Sequence, residues 1–210
     1  MQKLKTRFLV TSLLLFLFVS CKSYKIEGTT KIESNHTNYQ NLYFSNPEID
    51  YVYKAHIEVY GNDLSGIFVV KKVNDSLHRV VLTTDFGNKL LDFELSEKHF
   101  KVNYIVDDLN KKIVINTLKK DFELLLTTNH KVDEVLENEN NIIFKSINGK
   151  RTNYLYKSKK ENSLVKIVNT SKTKEKVSFS FMPKNITFAE YILIEHINIK
   201  LKIELNQISN

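Results

Sequence analysis

Few residues in this chain are placed to do chemistry. Residues 83–87 read TTDFG, and Asp85-Phe86-Gly87 is the tripeptide whose aspartate holds magnesium in protein kinases. That chemistry also needs a glycine-rich phosphate loop and a catalytic-loop HRD, and the chain has neither. Asp85 is therefore left without partners for phosphoryl transfer. Asp85-Phe86-Gly87 then reads as a turn between strands, or as a turn whose working part is the phenylalanine. The six histidines (36, 56, 78, 99, 130 and 196) stand alone, none within four residues of another, so no zinc-ligating pair of the HExxH kind exists. GxSxG is absent, and a serine nucleophile would need a histidine brought to it by folding alone. No catalytic residue, metal or cofactor is expected.

The one cysteine has a different chemistry. Lys3, Lys5 and Arg7 precede an unbroken apolar run, FLVTSLLLFLFV, at Phe8–Val19. Its twelve residues reach roughly 18 Å as a helix, short of a ~30 Å hydrocarbon core, which marks a secretory signal and not a membrane span. The run ends in Phe18-Val19-Ser20-Cys21, a small residue directly before the cysteine. This resembles a bacterial lipobox, with Phe18 where Leu is usual. The resemblance implies cleavage before Cys21 and acylation of its sulfur and new amino group. A sole thiol in an oxidising compartment suits that role, and without a second cysteine the fold must rest on its core. Several acyl chains, at ~0.8 kcal/mol per buried CH₂, make such anchoring effectively permanent. Lys22 stands where Asp signals inner-membrane retention in lipoproteins, and Lys-Ser-Tyr-Lys lacks the acidic cluster of surface-exported ones. The expectation is an outer-membrane, lipid-anchored protein whose domain faces the periplasm.

Loss of residues 1–20 as a signal peptide removes three of the 31 basic residues and none of the 24 acidic ones, leaving +4. That excess is spread out, with no basic run interleaved with aromatics, so no nucleic-acid partner is expected. Residues 21–50, rich in Asn, Ser and Thr, read as the lipidated cysteine and a polar tether, with a short helical turn around 38–44. Residues 51–210 read as one domain, expected to be a monomer.

From residue 51 the apolar period is two. Tyr51, Tyr53, Ala55, Ile57 and Val59 share a face; Gly61-Asn62-Asp63 turns the chain; and runs at 64–73, 77–84, 89–95 and 98–106 complete five strands in meander spacing. The stretch 107–126 changes to helical spacing through Leu109, Ile113, Val114, Leu118, Phe122 and Leu125, with Asp107 or Asp108 as its cap. Its lysines lie mostly on the outer face, for solvation or for acidic lipid headgroups. Strands resume at 141–147, 151–157, 163–169, 175–182 and 186–191, and end in the clean alternation of Ile197, Ile199, Leu201, Ile203 and Leu205. The fold class is thus mainly β with one or more helices (α+β). About eleven antiparallel strands with one-sided alternation imply a sheet curled around its apolar face. That face is either a solid core or a ligand cavity.

A lipidated chain of this length, with a five-strand meander, an amphipathic helix and a second group of strands, resembles the LolA/LolB lipoprotein-localisation fold. The local match is VLTTDFGNKLLDFEL (81–95), a strand ending in Leu-Thr, a turn with an apolar residue before Gly, and an apolar-alternating strand. Pro183 and Ile186 opening a last hairpin, and IKLKIEL (199–205) closing it, also fit. The family's tryptophans are absent here. The resemblance is closest to LolB, itself an outer-membrane lipoprotein. It implies an eleven-stranded, half-open antiparallel barrel covered by helix, with an apolar cavity for acyl chains. The cavity candidates are Tyr53, Ile57, Phe100, Val102, Phe179, Ile199 and Leu201. By position Phe86 is the residue that enters the membrane in the receptors; the alternative is a ring folded back beneath its turn. The implied partners are membrane lipid through acylated Cys21, lipoprotein acyl chains and a periplasmic carrier. The other function compatible with these features is a non-catalytic accessory lipoprotein of an envelope complex, with a filled barrel.

Overall fold

A computed structural model describes residues 24–208. The expected signal peptide and Cys21 lie outside these residues. The chain enters through two short strands, β1 (Thr30–Ile32) and β2 (Asn38–Gln40). A meander follows: β3 (Asp50–Val59), β4 (Asn62–Lys72), β5 (His78–Thr83), β6 (Lys89–Leu95) and β7 (Phe100–Ile105). A 3-10 turn at Asp107–Leu109 leads into the helix α1 (Lys112–Leu126). After it come β8 (Asn129–Lys131), β9 (Glu134–Glu137), β10 (Asn141–Asn148), β11 (Arg151–Ser158) and β12 (Leu164–Thr170). The chain finishes with β13 (Glu175–Asn185), β14 (Phe188–His196) and β15 (Leu201–Gln207).

Thirteen of these strands form one antiparallel sheet in the order β1-β9-β10-β11-β12-β13-β14-β15-β3-β4-β5-β6-β7, while β2 and β8 pair separately. The order shows how the two halves of the chain are joined. Each half is a meander of neighbours, and the halves are joined where β15 pairs with β3, from Leu201↔Val59 to Gln207↔Tyr53. β1 and β7 are left as edges, so the barrel is open.

Laid flat, thirteen strands at about 4.8 Å spacing would span roughly 60 Å, far wider than a fifteen-residue helix could cover. The inward residues of both halves nonetheless belong to one core: Tyr53, Phe68, Leu82 and Phe93 from one side, Leu155, Phe179, Ile194 and Ile203 from the other. The sheet is therefore curled. α1 lies in the concavity with Val114, Leu118, Phe122 and Leu125 buried, and the Phe122 ring is 5.4 Å from that of Phe68. A buried Asp121–His196 contact of 2.8 Å ties the helix to the end of β14.

Four expectations are corrected. The strands number fifteen rather than eleven, because β1, β2, β8 and β9 have three or four residues each, too few to show a period. The supposed tether is part of the domain. Tyr43 and Phe44 are fully buried, the Tyr43 hydroxyl donates to the Leu164 carbonyl at 2.9 Å, and 38–40 is a strand, not a helical turn. Tyr24 and Ile26 pack on the outer face of the sheet against Ile143, Tyr154 and Val168. Neither Asp107 nor Asp108 caps α1; both sit in the 3-10 turn before it, and no side chain caps the helix.

Because every pairing is antiparallel, alternate hairpins fall at the same end of the sheet. The turns at 60–61, 84–88, 149–150, 171–174 and 197–200 share one end, and those at 73–77, 96–99, 159–163 and 186–187 share the other.

His130 on β8 is buried, and burial pushes its imidazole down to about 4, against a single contact with the Thr127 carbonyl at 3.2 Å. Burial also lowers His78, whose ring meets the Phe44 carbonyl at 3.1 Å. A folded-state pKa below the unfolded one means that the unfolded chain binds protons the folded chain does not. The stability from neutral His130 is therefore present above about pH 6.5 and lost as pH falls toward 4, by up to about 3 kcal/mol. Urea midpoints measured across this window should fall with pH, and the slope should be shallower in His130→Gln; an unchanged slope would show that His130 is not the linked group.

Candidate functional site

The tripeptide Asp85-Phe86-Gly87 is a hairpin loop. Thr84 N–H donates to the Asn88 carbonyl at 2.8 Å and Gly87 N–H to the Thr84 carbonyl at 2.9 Å. Asn88 N–H donates to the Thr84 hydroxyl at 3.1 Å. Gly87 has φ +84°, the left-handed position that closes a three-residue hairpin loop and suits glycine. The Asp85 carboxylate is paired with the Lys54 ammonium on the outer face of β3. It thus secures the turn laterally. Phe86 sits at the tip, 94% exposed.

Two features hold this loop rigidly. β5 folds close over β4 at Gly66, where an added Cβ would lie 1.7 Å from the Thr83 carbonyl oxygen, so only glycine admits the approach. Beneath the hairpin, Asp92 of β6 is fully buried on the outer face under its partners. Arg79 grips it through two hydrogen bonds, Nε to Oδ1 at 2.9 Å and Nη2 to Oδ2 at 2.7 Å. Lys89 adds another at 2.9 Å, and Asn103 reaches it at 3.4 Å while donating to Glu94 at 2.8 Å. The Arg79 hydrogen bonds, then those of Lys89 and Asn103, hold the Asp92 carboxyl well below the usual carboxylate range despite its burial. This cluster links β5, β6 and β7. Sequence reading missed it because KLLDFEL shows only an acidic residue on a polar face; its partners become visible only with the strand register.

The seven cavity candidates do share one face. Tyr53, Ile57, Phe179 and Leu201 are buried in the core, and Phe100, Val102 and Ile199 pack against it. What they line is occupied by their own side chains and by α1. The Tyr53 hydroxyl donates to the Ala189 carbonyl at 2.8 Å, and no buried side-chain polar atom among the described residues lacks a partner. Among the described residues these side chains are thus part of the core in this conformation. A cleft of about 170 Å³ lies near Tyr39, Leu42, Leu164 and Ile186, beyond the packed interior. It is smaller than the ~300 Å³ at which ligand pockets begin. Among the described residues no three His, Cys, Asp or Glu side chains are grouped to share a metal ion.

No established family profile matches the chain. No curated protein matches it in sequence. Solved structures similar in shape include the following two. A LolA superfamily protein from Nitrosomonas europaea has a TM-score of 0.49 and 7% identity, over 79% of this chain and 87% of its own. A domain from Vibrio parahaemolyticus, described as an outer membrane lipoprotein-sorting protein, has a TM-score of 0.44 and 9% identity, over 76% of this chain and 83% of its own. Both likenesses are distant.

Asp92→Asn keeps the shape and removes the charge that Arg79 and Lys89 bind. It is expected to lower folding stability by about 2 kcal/mol in urea unfolding. Amide exchange at Thr84, Gly87 and Asn88 should rise in the same variant. Unchanged protection of those amides would show that the hairpin does not depend on the buried carboxylate.

Proposed function

We propose that this chain is a lipid-anchored protein of the bacterial outer membrane that works at the bilayer surface. It presents Phe86 to the membrane and handles acyl chains of lipid or lipoprotein in the manner of the receptors it resembles. The observation that carries this reading is the position of the Phe86 ring. It lies in water at the tip of a loop hydrogen-bonded at both ends, on a hairpin braced by a buried carboxylate. A rigid loop that holds an aromatic ring away from its own core offers that ring to something else. Moving a phenylalanine side chain out of water is worth roughly 2–3 kcal/mol, too little to anchor a protein but enough to orient a tethered one.

The packed interior favours a second reading, an accessory envelope lipoprotein that uses the filled barrel as a scaffold. The two differ in whether α1 and the inner faces of the strands part for hydrocarbon. Native mass spectrometry of the detergent-released mature protein separates them: non-covalent lipid carried into the gas phase supports acyl handling, and a bare acylated chain supports the scaffold.

Membrane contact by Phe86 has its own test, in the chain from Lys22 onward, which lacks the acylated cysteine. Phe86→Glu should leave the thermal unfolding temperature unchanged, since the ring is almost wholly in solvent. It should weaken flotation with liposomes by roughly thirtyfold or more, the equivalent of 2–3 kcal/mol. Unaltered flotation with a lowered unfolding temperature would return Phe86 to a structural role.

A further inference from the structure

Tyr24 has a defined place on the sheet. Tyr24 N–H donates to the Lys172 carbonyl at 2.7 Å, its hydroxyl donates to the Glu175 carboxylate, and its ring lies 5.4 Å from that of Tyr154. Tyr24 is thereby pinned to the 171–174 turn between β12 and β13. Only Lys22 and Ser23 separate Tyr24 from Cys21, so the two Cα atoms are at most about 11 Å apart. A lipid on Cys21 therefore has a short leash, and the turn at 171–174 must stay close to the bilayer that holds it.

That turn belongs to the same end of the sheet as Phe86. Strand order fixes the sequence of turns along this rim: 149–150, 171–174, 197–200, 60–61 and 84–88. The first three carry Lys150, Lys172, Lys174 and Lys200, with Arg151 opening β11, and contain no carboxylate. None of these five cations forms an ion pair among the described residues. Apolar side chains stand exposed along the same rim: Ile147 at 52%, Ile197 at 59%, Tyr60 at 38% and then Phe86. The Tyr60 N–H donates to the Lys200 carbonyl at 2.9 Å, which couples the basic and apolar parts of the arc. At the opposite end Val73 and Ile186 are also exposed, but the turns there mix Lys98, Lys159 and Lys160 with Asp75, Glu97 and Glu161. Exposed apolar groups thus occur at both ends, whereas turns that carry lysine without a carboxylate, and a pinned N-terminal segment, occur at one.

We propose that this rim, from Lys150 through Lys172, Lys174, Ile197 and Lys200 to Phe86, is a docking face for an anionic phospholipid bilayer, the same bilayer that holds Cys21. The assignment rests on the lipid-anchored reading above and extends it from one residue to a whole end of the barrel. Lysines at an anionic surface add attraction that falls off within a Debye length, so they act only if the leash holds the rim at the headgroups. The isoleucines and Phe86 then enter the interface between them. The barrel stands on its rim, with its open edges β1 and β7 to the sides.

The test uses the mature acylated protein in vesicles of phosphatidylcholine with and without phosphatidylglycerol. With Cys21 acylated, a cysteine introduced as Ile197→Cys, or as Asp75→Cys at the opposite end, is the only free thiol and accepts a spin label. Access to lipid-soluble and water-soluble relaxation agents then reads depth at each position. Position 197 should be shielded from the water-soluble agent in the phosphatidylglycerol vesicles, and position 75 should be aqueous in both. Changing Lys150, Lys172, Lys174 and Lys200 together to Gln should raise water access at position 197 roughly tenfold, while the protein stays vesicle-bound through its lipid. The proposal is overturned if position 197 is as aqueous as position 75. It is overturned equally if shielding at 197 ignores both phosphatidylglycerol and the Lys→Gln changes. Mass spectrometry of the N-terminal peptide separates the two layers: without an acyl adduct the anchored reading falls and takes the docking face with it, whereas an acylated protein with position 197 in water sinks the docking face alone.

Discussion

The pairing of β15 with β3 is the constraint on which the rest depends. Residues 201–207 and 53–59 are about 150 positions apart in sequence, and their ladder is the seam between two meanders that otherwise fold locally. Without it each half would be a sheet with one apolar face in water. With it, Ile203 and Leu205 come beside Ile57 and Ala55, the curl closes around α1, and one core serves both halves. Closing so long a loop is entropically costly, and the return is the burial of both apolar faces at once. The same seam brings the 197–200 turn beside the 60–61 turn, through the Tyr60–Lys200 hydrogen bond. The composition of the rim therefore follows from the core's closure.

Polar groups then decide which parts of this frame are rigid. On the convex side, Asp92 with Arg79, Lys89 and Asn103 stiffens the hairpin that displays Phe86. Inside, buried tyrosines such as Tyr43 and Tyr53 carry their hydroxyls to backbone carbonyls, so large rings fill the concavity without leaving a donor unmet. The contact between Asp121 and His196 is of a different kind. Burial raises the Asp121 carboxyl above its ordinary range, while its hydrogen bond to His196 opposes the shift. α1 is thus held across the sheet by this contact and by apolar packing.

Much of the frame is legible in the sequence because its long strands alternate cleanly. The period of two in β3 and the change to helical spacing at α1 place those elements where the structure has them, whereas the alternation read from Ile197 to Leu205 overruns β15, which begins at Leu201 after a turn at 197–200. Asp85-Phe86-Gly87 is also legible as a turn, since glycine in the left-handed position is what a short hairpin loop demands. The misreadings share a cause. The stretch from 24 to 50 is polar on average, and average polarity hides the few residues that matter, Tyr24, Ile26, Tyr43 and Phe44, which are used singly and not as a periodic face. β1, β2, β8 and β9 are too short to have a period at all. Whether an inward face encloses space or side chains depends on the volume left after curling, which alternation does not encode.

The filled core has a consequence for any role in moving acyl chains. Transferring a chain from a bilayer into a protein interior exchanges one hydrocarbon surrounding for another, so the ~0.8 kcal/mol per CH₂ that drives burial from water is absent. The gain must come from packing, and here packing is already satisfied by Phe68, Phe93 and Phe122. Opening the concavity would forfeit those contacts and the Asp121–His196 bond for little in return. A domain of this kind competes poorly with the membrane for hydrocarbon when the two are in contact. On the proposed lipid-facing rim, such a domain would be better suited to releasing an acyl chain into the bilayer than to extracting one. The direction of transfer would then follow from a packed interior and a short leash, without any group that has to bind lipid tightly.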